Sequence, residues 1–303
     1  MRRSAISSWQ NILGNKVSLE EEKILSLLKK VDMASQQFVE TAHAKIYSAH
    51  RPDVPPEIAE KSVNFLKEKF DGNLDIAVDV GCGCGQSSVI LAPFFSHVYG
   101  LDASEAQIQE AIKNRACSNI HYRVQEAENL PFETCSVQLV TACASLHWFN
   151  LELFFNEVRR ILVPGGVLVV YTYHSLRPFF DCPLKMKEVN CLYNQIYEEL
   201  YPYWPKEVHL SLEKYESVQF PFEESNKIPD IRQFFFGRFS DLTGFVESLS
   251  AFQIMKKTDI SKAENFISRF GSRLHDLLAV PDQQDCKMIK LYRDFYCIMC
   301  RKK

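Results

Sequence analysis

Three observations predict an α/β fold, with a largely parallel sheet covered by helices on both faces. Short apolar runs alternate with amphipathic helical patterns from residue 57 to residue 173. The first run ends in a glycine cluster, Gly81-Cys82-Gly83-Cys84-Gly85. The second ends in an acid, Asp102. Strands and helices alternating at this spacing specify right-handed crossovers between parallel neighbours.

The elements follow in order. Residues 1–32 read as an N-terminal extension, in which Ser18 and Glu21 form a capping box ahead of Ile24, Leu25, Leu27 and Leu28. Met33 opens the main domain, 33–303. A helix is expected from Glu57 to Phe70 and is broken by Asp71-Gly72-Asn73, with Ile76 to Val80 as the first strand. Next come a helix over 86–94, a strand over 97–102, a helix over 104–115 and a strand over 120–124. Residues 136–142 are the fourth strand, 151–161 a helix and 167–173 the fifth strand. The rhythm then changes. An aromatic-rich helix is expected over 184–201 and two helices over 241–278, forming a helical cap inserted at about 175–285. Ser217 to Phe220 and Leu291 to Cys300 read as further strands of the core.

Composition narrows the function classes. Of 303 residues, 46% are hydrophobic and 24% charged, which excludes a wholly disordered chain. Lys+Arg number 35 against 38 Asp+Glu, a net charge of −3, which argues against a dedicated nucleic-acid binder. No apolar run reaches the roughly 18–20 residues of a membrane span, and the opening lacks a secretory apolar stretch, so a cytoplasmic setting is expected. The ten cysteines are not arranged as zinc knuckles, and free buried thiols are expected with no metal site.

The glycine cluster stands where the first strand hands over to a helix. Glycines there permit a tight turn and a close approach of backbone to ligand, and a helix N-terminus offers unpaired N–H groups. The spacing is G-x-G-x-G, not the G-x-G-x-x-G of dinucleotide folds, and Asp79 precedes it inside the strand. Asp102, 21 residues beyond Gly81, stands where an acid can accept hydrogen bonds from both hydroxyls of a ribose. Two further elements keep the same order, Glu126-Ala127-Glu128-Asn129-Leu130-Pro131-Phe132 and Arg159-Arg160-Ile161-Leu162-Val163-Pro164-Gly165-Gly166.

With these motifs the chain resembles class I S-adenosylmethionine-dependent methyltransferases, most strongly over 78–174. It is similar, more narrowly, to the trans-aconitate methyltransferase-like (type 11) group, through Tyr47-Ser48-Ala49-His50-Arg51-Pro52, His147-Trp148-Phe149 and, more weakly, Phe245 to Phe252. The resemblance implies a Rossmann-like doubly wound sheet of seven strands with an antiparallel last strand, and S-adenosylmethionine as cofactor. It implies that Gly81, Gly83 and Gly85 shape the pocket for the methionine portion, that Asp102 holds the ribose, and that Glu126 and the Ala127 backbone flank the adenine. By the same resemblance Cys143 offers backbone to the methionyl ammonium, and Tyr47 and Arg51 close the site.

The implied reaction is methyl transfer by in-line displacement to a small-molecule acceptor, with a carboxylate oxygen favoured because it needs no general base. His147 follows the fourth strand and either orients or deprotonates the acceptor, or packs beside Trp148 to close the cofactor pocket. Tyr173 and His174 end the fifth strand on the same sheet edge and are candidate substrate contacts. The aromatic cap, with Phe234-Phe235-Phe236 and nearby Arg232 and Arg238, could line an acceptor pocket or serve as helix core and surface. Alternatives are methylation of a protein or RNA, which calls for a basic face or accessory domain, and a cofactor-binding scaffold without turnover. A nicotinamide-dependent oxidoreductase is opposed by the glycine spacing.

Overall fold

The computed structural model describes residues 53–303 apart from 174 and 279–287. Tyr47, Arg51 and His174, the extension 1–32 and its capping box lie outside the described residues.

Helix α1 (Pro56–Lys67) starts on a proline, whose fixed φ and missing N–H suit a first helical position, and buries Ile58, Val63 and Leu66. Strand β1 (Ile76–Val80) leads through the glycines into a single helical turn, α2 (Gln86–Val89), shorter than the expected 86–94. Strand β2 (His97–Asp102) precedes α3 (Glu105–Lys113), which Ser104 caps by accepting from the Gln107 N–H at 3.3 Å. Then come β3 (Ile120–Val124), β4 (Val137–Cys143) and α4 (Leu151–Ile161), whose Phe154, Phe155, Val158 and Ile161 form one buried stripe. Strand β5 (Leu162–Tyr173) begins earlier than expected and takes in Pro164-Gly165-Gly166.

The sheet runs β3-β2-β1-β4-β5-β8, with β6 (Arg177–Pro178) and β7 (Glu224–Gly237) both paired to β8 (Ile289–Arg301). Strands β1 to β5 are mutually parallel, and β8 is antiparallel to β5, from Val167↔Arg301 to Tyr173↔Phe295. This is the Rossmann-like sheet with an antiparallel last strand; the two-residue β6 makes it eight strands instead of seven. Alternation along the strands divides the core. Ala77, Leu139, Val167 and Val169 face α1, while Val78, Val140, Leu168 and Val170 face α4.

Residues 217–220, expected as a strand, form turn and coil, and the strand beside β8 is instead β7. Its lower half is polar, and Pro229, which has no N–H to give a ladder, sits in the register shift between Ile228 and Ile231. Strand β7 therefore interrupts the cap, which consists of α5 (Pro183–Leu200) and α6 (Val208–Leu212) before it and three helices after it. These are α7 (Phe239–Glu247), α8 (Ser250–Thr258) and α9 (Ile260–Leu278), three where the sequence suggested two. Val189, Tyr193, Phe245, Phe266 and Phe270 form the cap's own core, joined to the sheet through Leu291. Phe234 to Phe236 lie on β7, with Phe235 packed on that core and its neighbours exposed on the opposite face.

Among the described residues no helix is long and apolar enough to cross a membrane. Nor does any group of three or more His, Cys, Asp or Glu form a metal cluster. The described cysteines are free; Cys82, Cys84, Cys297 and Cys300 are buried as expected, but Cys135, Cys182 and Cys191 are exposed.

Candidate active site

The turn after β1 is set by a buried acid. Asp79, without solvent exposure, accepts hydrogen bonds from Ser87 Oγ (2.6 Å), Ser88 Oγ (2.7 Å) and Thr141 Oγ1 (2.8 Å). One carboxyl thus fastens α2 and β4 to the end of β1, and burial pushes its pKa up. Between these anchors the backbone turns left-handed at Gly81 (φ 68°), Gly83 (φ 55°) and Gly85 (φ 90°). A Cβ on Gly81 would strike Ser145, and one on Gly85 would strike Tyr122.

Asp102 ends β2 half-buried beside this turn. Its Oδ2 accepts from the Gly83 N–H (2.9 Å) and its Oδ1 from the Ser104 N–H (2.8 Å). A carboxylate accepts about four hydrogen bonds, so each oxygen keeps a lone pair. Burial raises the Asp102 pKa, against the lowering effect of its two backbone donors.

These residues border a cleft at the carboxyl ends of the strands. Gly81, Gly83, Asp102, Glu126, Ala127 and Cys143 all line it, whereas Gly85 lies behind it as the cap of α2. Sequence reasoning missed the far wall, Ser145 and Phe149, and also Gln107, which accepts from Cys84 Sγ at 2.7 Å. Phe149 belongs to the quoted His-Trp-Phe run, but the sequence does not disclose that its ring meets the glycine turn. Glu128 braces that wall by accepting the Asn150 N–H at 2.7 Å. The cleft suits a nucleoside joined to an amino acid. A carboxylate with open lone pairs stands at one point, a glycine cradle at another, and an exposed acid, Glu126, at the rim.

A second cavity adjoins the cleft across Ala144 and Trp148 and extends beneath the cap. Ala144 is held in a left-handed conformation (φ 49°) at this junction. Tyr173, Tyr197, Trp204 and Phe245 give the cavity aromatic walls, and Thr172 and Ser211 give it hydroxyls. Tyr173 was a sequence candidate; Tyr197, Trp204 and Ser211 come from cap elements whose placement the sequence did not reveal. Arg232 pairs with Asp294 on the sheet surface (2.6 and 2.8 Å), and neither Arg232 nor Arg238 lines the cavity.

His147 also lines this cavity and is buried, with Nδ1 3.0 Å from the Tyr215 hydroxyl. Burial pushes its pKa down to about 3, so at neutral pH the imidazole is uncharged and a poor proton acceptor. The folded protein therefore binds fewer protons here than the unfolded chain between about pH 3 and pH 6.5. The sign follows: stability is complete above pH 6.5 and declines by up to ~1.4 kcal/mol per pH unit as the pH falls toward 3. Urea unfolding of the wild type and of His147→Asn at pH 7.5 and pH 5 should show a smaller loss on acidification in the variant. Equal losses would refute the buried neutral imidazole.

Residues 78–170 match the family model described as a methyltransferase domain. A Dictyostelium discoideum protein named as a methyltransferase is 29% identical over 184 residues, covering 61% of this chain and 66% of that protein. CRG1 of Saccharomyces cerevisiae, named as an S-adenosylmethionine-dependent methyltransferase, is 31% identical over 45% of this chain and 48% of its own length. The chain thus spans less than two thirds of either curated relative. A solved structure described as a type II methyltransferase, from Anaeromyxobacter dehalogenans, superposes with a TM-score of 0.67 at 26% identity, covering 83% of this chain and 97% of that one. Matched domain, relatives and sheet together support a class I S-adenosylmethionine-dependent methyltransferase.

Proposed function

We propose that the chain transfers a methyl group to a small-molecule acceptor bound beneath the cap, and that the attacking atom is a carboxylate oxygen. The observation that carries this reading is the adjoining of the two cavities across Ala144 and Trp148, which gives cofactor and acceptor separate rooms with a common wall. The motifs around Tyr47 to Pro52 and His147 to Phe149 support a place in the trans-aconitate methyltransferase-like group.

S-adenosylmethionine supplies an activated methyl group on a sulfonium centre, transferred by in-line displacement. The chain's own residues bind and orient. Asp102 offers its two open lone pairs to the ribose hydroxyls, Glu126 and the Ala127 backbone flank the adenine, and Gly81, Gly83 and the Cys143 backbone hold the methionine portion. Orientation of this kind lowers a barrier by roughly 7–11 kcal/mol. Among the described residues, no Asp, Glu or Lys lines the acceptor cavity, and the His147 imidazole is a poor base. An acceptor that arrives already ionised at oxygen suits such a room.

The test is incubation of the purified chain with methyl-labelled cofactor and parallel carboxylate, phenol and amine acceptor sets. Label in a product that releases volatile methanol in alkali identifies a methyl ester and is the expected outcome. Alkali-stable label would move the acceptor to a phenol or amine.

A further inference from the structure

Four buried polar side chains gather where the acceptor cavity meets the sheet: His147, Thr172, Ser211 and Tyr215. They come from three places in the chain, and the backbone is bent to bring them together. Lys214 and Tyr215 are both held left-handed (φ 56° and 58°), which turns the Tyr215 ring inward until it is 2% exposed. Thr172 Oγ1 lies 2.7 Å from Ser211 Oγ, and the Tyr215 hydroxyl lies 3.0 Å from His147 Nδ1. The same phenol also meets the side chains of Ser211 and Thr172 and the His147 backbone. Three of the four, His147, Thr172 and Ser211, line the cavity; Tyr215 stands behind them.

Counting protons gives this cluster a direction. A phenol oxygen accepts two hydrogen bonds and donates one. The His147 backbone N–H can only donate, so it takes one acceptor position on Tyr215. With a hydroxyl proton of the Ser211–Thr172 pair in the other, both protons of the pair are committed, one to Tyr215 and one within the pair. A proton on Nδ1 would then face a filled oxygen, whereas an unprotonated Nδ1 receives the phenol's own proton. In that arrangement the neutral imidazole carries its proton on Nε2.

We propose that Tyr215 is a positioning residue that locks His147 as its Nε2–H tautomer, and that the His147 Nε2–H is the hydrogen-bond donor that recognises a carboxylate acceptor. This rests on the proposed methyl transfer to oxygen and assigns the residues that select the acceptor. The chemistry is one of binding alone. The carboxylate arrives ionised, no proton is exchanged with His147, and a fixed neutral donor holds one carboxylate oxygen without competing for the methyl group. A neutral donor is fitting here, because no carboxylate among the described residues borders the cavity to repel an anion.

The experiment uses the full chain labelled with ¹⁵N-histidine and reads imidazole tautomers from two-bond proton–nitrogen correlations, the His147 signal being the one lost in His147→Asn. The wild type should show the Nε2–H tautomer, and Tyr215→Phe should show a mixture. With S-adenosylhomocysteine present, titration with sodium phenylacetate should move the wild-type His147 signal and bind about tenfold more weakly to Tyr215→Phe. Ser211→Ala should leave both the tautomer and phenylacetate binding nearly unchanged, because the Thr172 hydroxyl can still fill the second acceptor position on Tyr215. An Nδ1–H wild-type tautomer, or a His147 signal that phenylacetate does not move, overturns the proposal. Calorimetry of S-adenosylhomocysteine keeps the two readings apart. Undiminished binding in every variant is expected, and its absence from the wild type would instead overturn the methyltransferase reading.

Discussion

Replacing Asp102 with alanine should weaken S-adenosylmethionine binding about 100-fold or more. Two losses combine. The ribose hydroxyls lose two hydrogen bonds to a charged acceptor, each worth about 1.5–3 kcal/mol. The Gly83 and Ser104 N–H groups, now held at 2.9 and 2.8 Å by the same carboxylate, lose their partner, and the glycine turn loses its brace. Asp102→Asn separates the two effects, since its amide oxygen can still hold one backbone N–H. Calorimetric titration should therefore place the asparagine variant between wild type and alanine. Affinity unchanged in both would remove Asp102 from the cofactor site.

Gly81→Ala should be the most damaging single-methyl change in the cleft. Its φ of 68° is a left-handed conformation that an alanine adopts at a cost of roughly 1–2 kcal/mol. Its new Cβ would fall on Ser145 and press on the Phe149 ring. Neither neighbour can easily yield: Ser145 donates to the Val80 carbonyl at 3.0 Å, and Phe149 packs on Phe154 in the buried stripe of α4. Overpacking of this kind adds about 1–3 kcal/mol. The midpoint of urea unfolding should fall accordingly, and S-adenosylhomocysteine binding should be lost even where the variant remains folded. Wild-type stability together with wild-type binding would contradict the close approach of turn and wall.

The parts of the fold that were legible in the sequence are those in which local pattern and tertiary role coincide. Strands β1 to β5 are short apolar runs bounded by turn residues, and their order follows from right-handed crossovers. Strand β7 was misplaced for a physical reason. Its polar lower half contains Pro229 and stands at a sheet edge, so neither alternation nor β-branching marks it, while Ser217 to Phe220 alternates yet forms coil. The same holds at the site. Gly81, Gly83, Asp102, Glu126, Ala127 and Cys143 could be located because the turns that present them are local, and all line the cleft. Beyond Thr172 and Tyr173 of β5, the aromatic and hydroxyl lining of the second cavity comes from cap elements, whose mutual placement depends on cap packing that no short sequence window encodes. His147 was read as either acceptor-facing or packed beside Trp148; it lies against Trp148 and Tyr215 and also lines the second cavity.

The placement of β8 bears on how the chain acquires its structure during synthesis. Strands β1 to β5 can pair as they emerge, each joining a sheet already begun. Strand β7 cannot, because its partner throughout is β8, which is made after the intervening helices α7 to α9. Until β8 inserts between β5 and β7, the backbone of β7 and its three consecutive phenylalanines remain without their sheet. The closing contacts join residues as distant as Val167 and Arg301, so the last step must overcome the entropy of a very large loop. That interval is the one in which β7 is most exposed to pairing with another nascent chain, and in which a chaperone would be of most use.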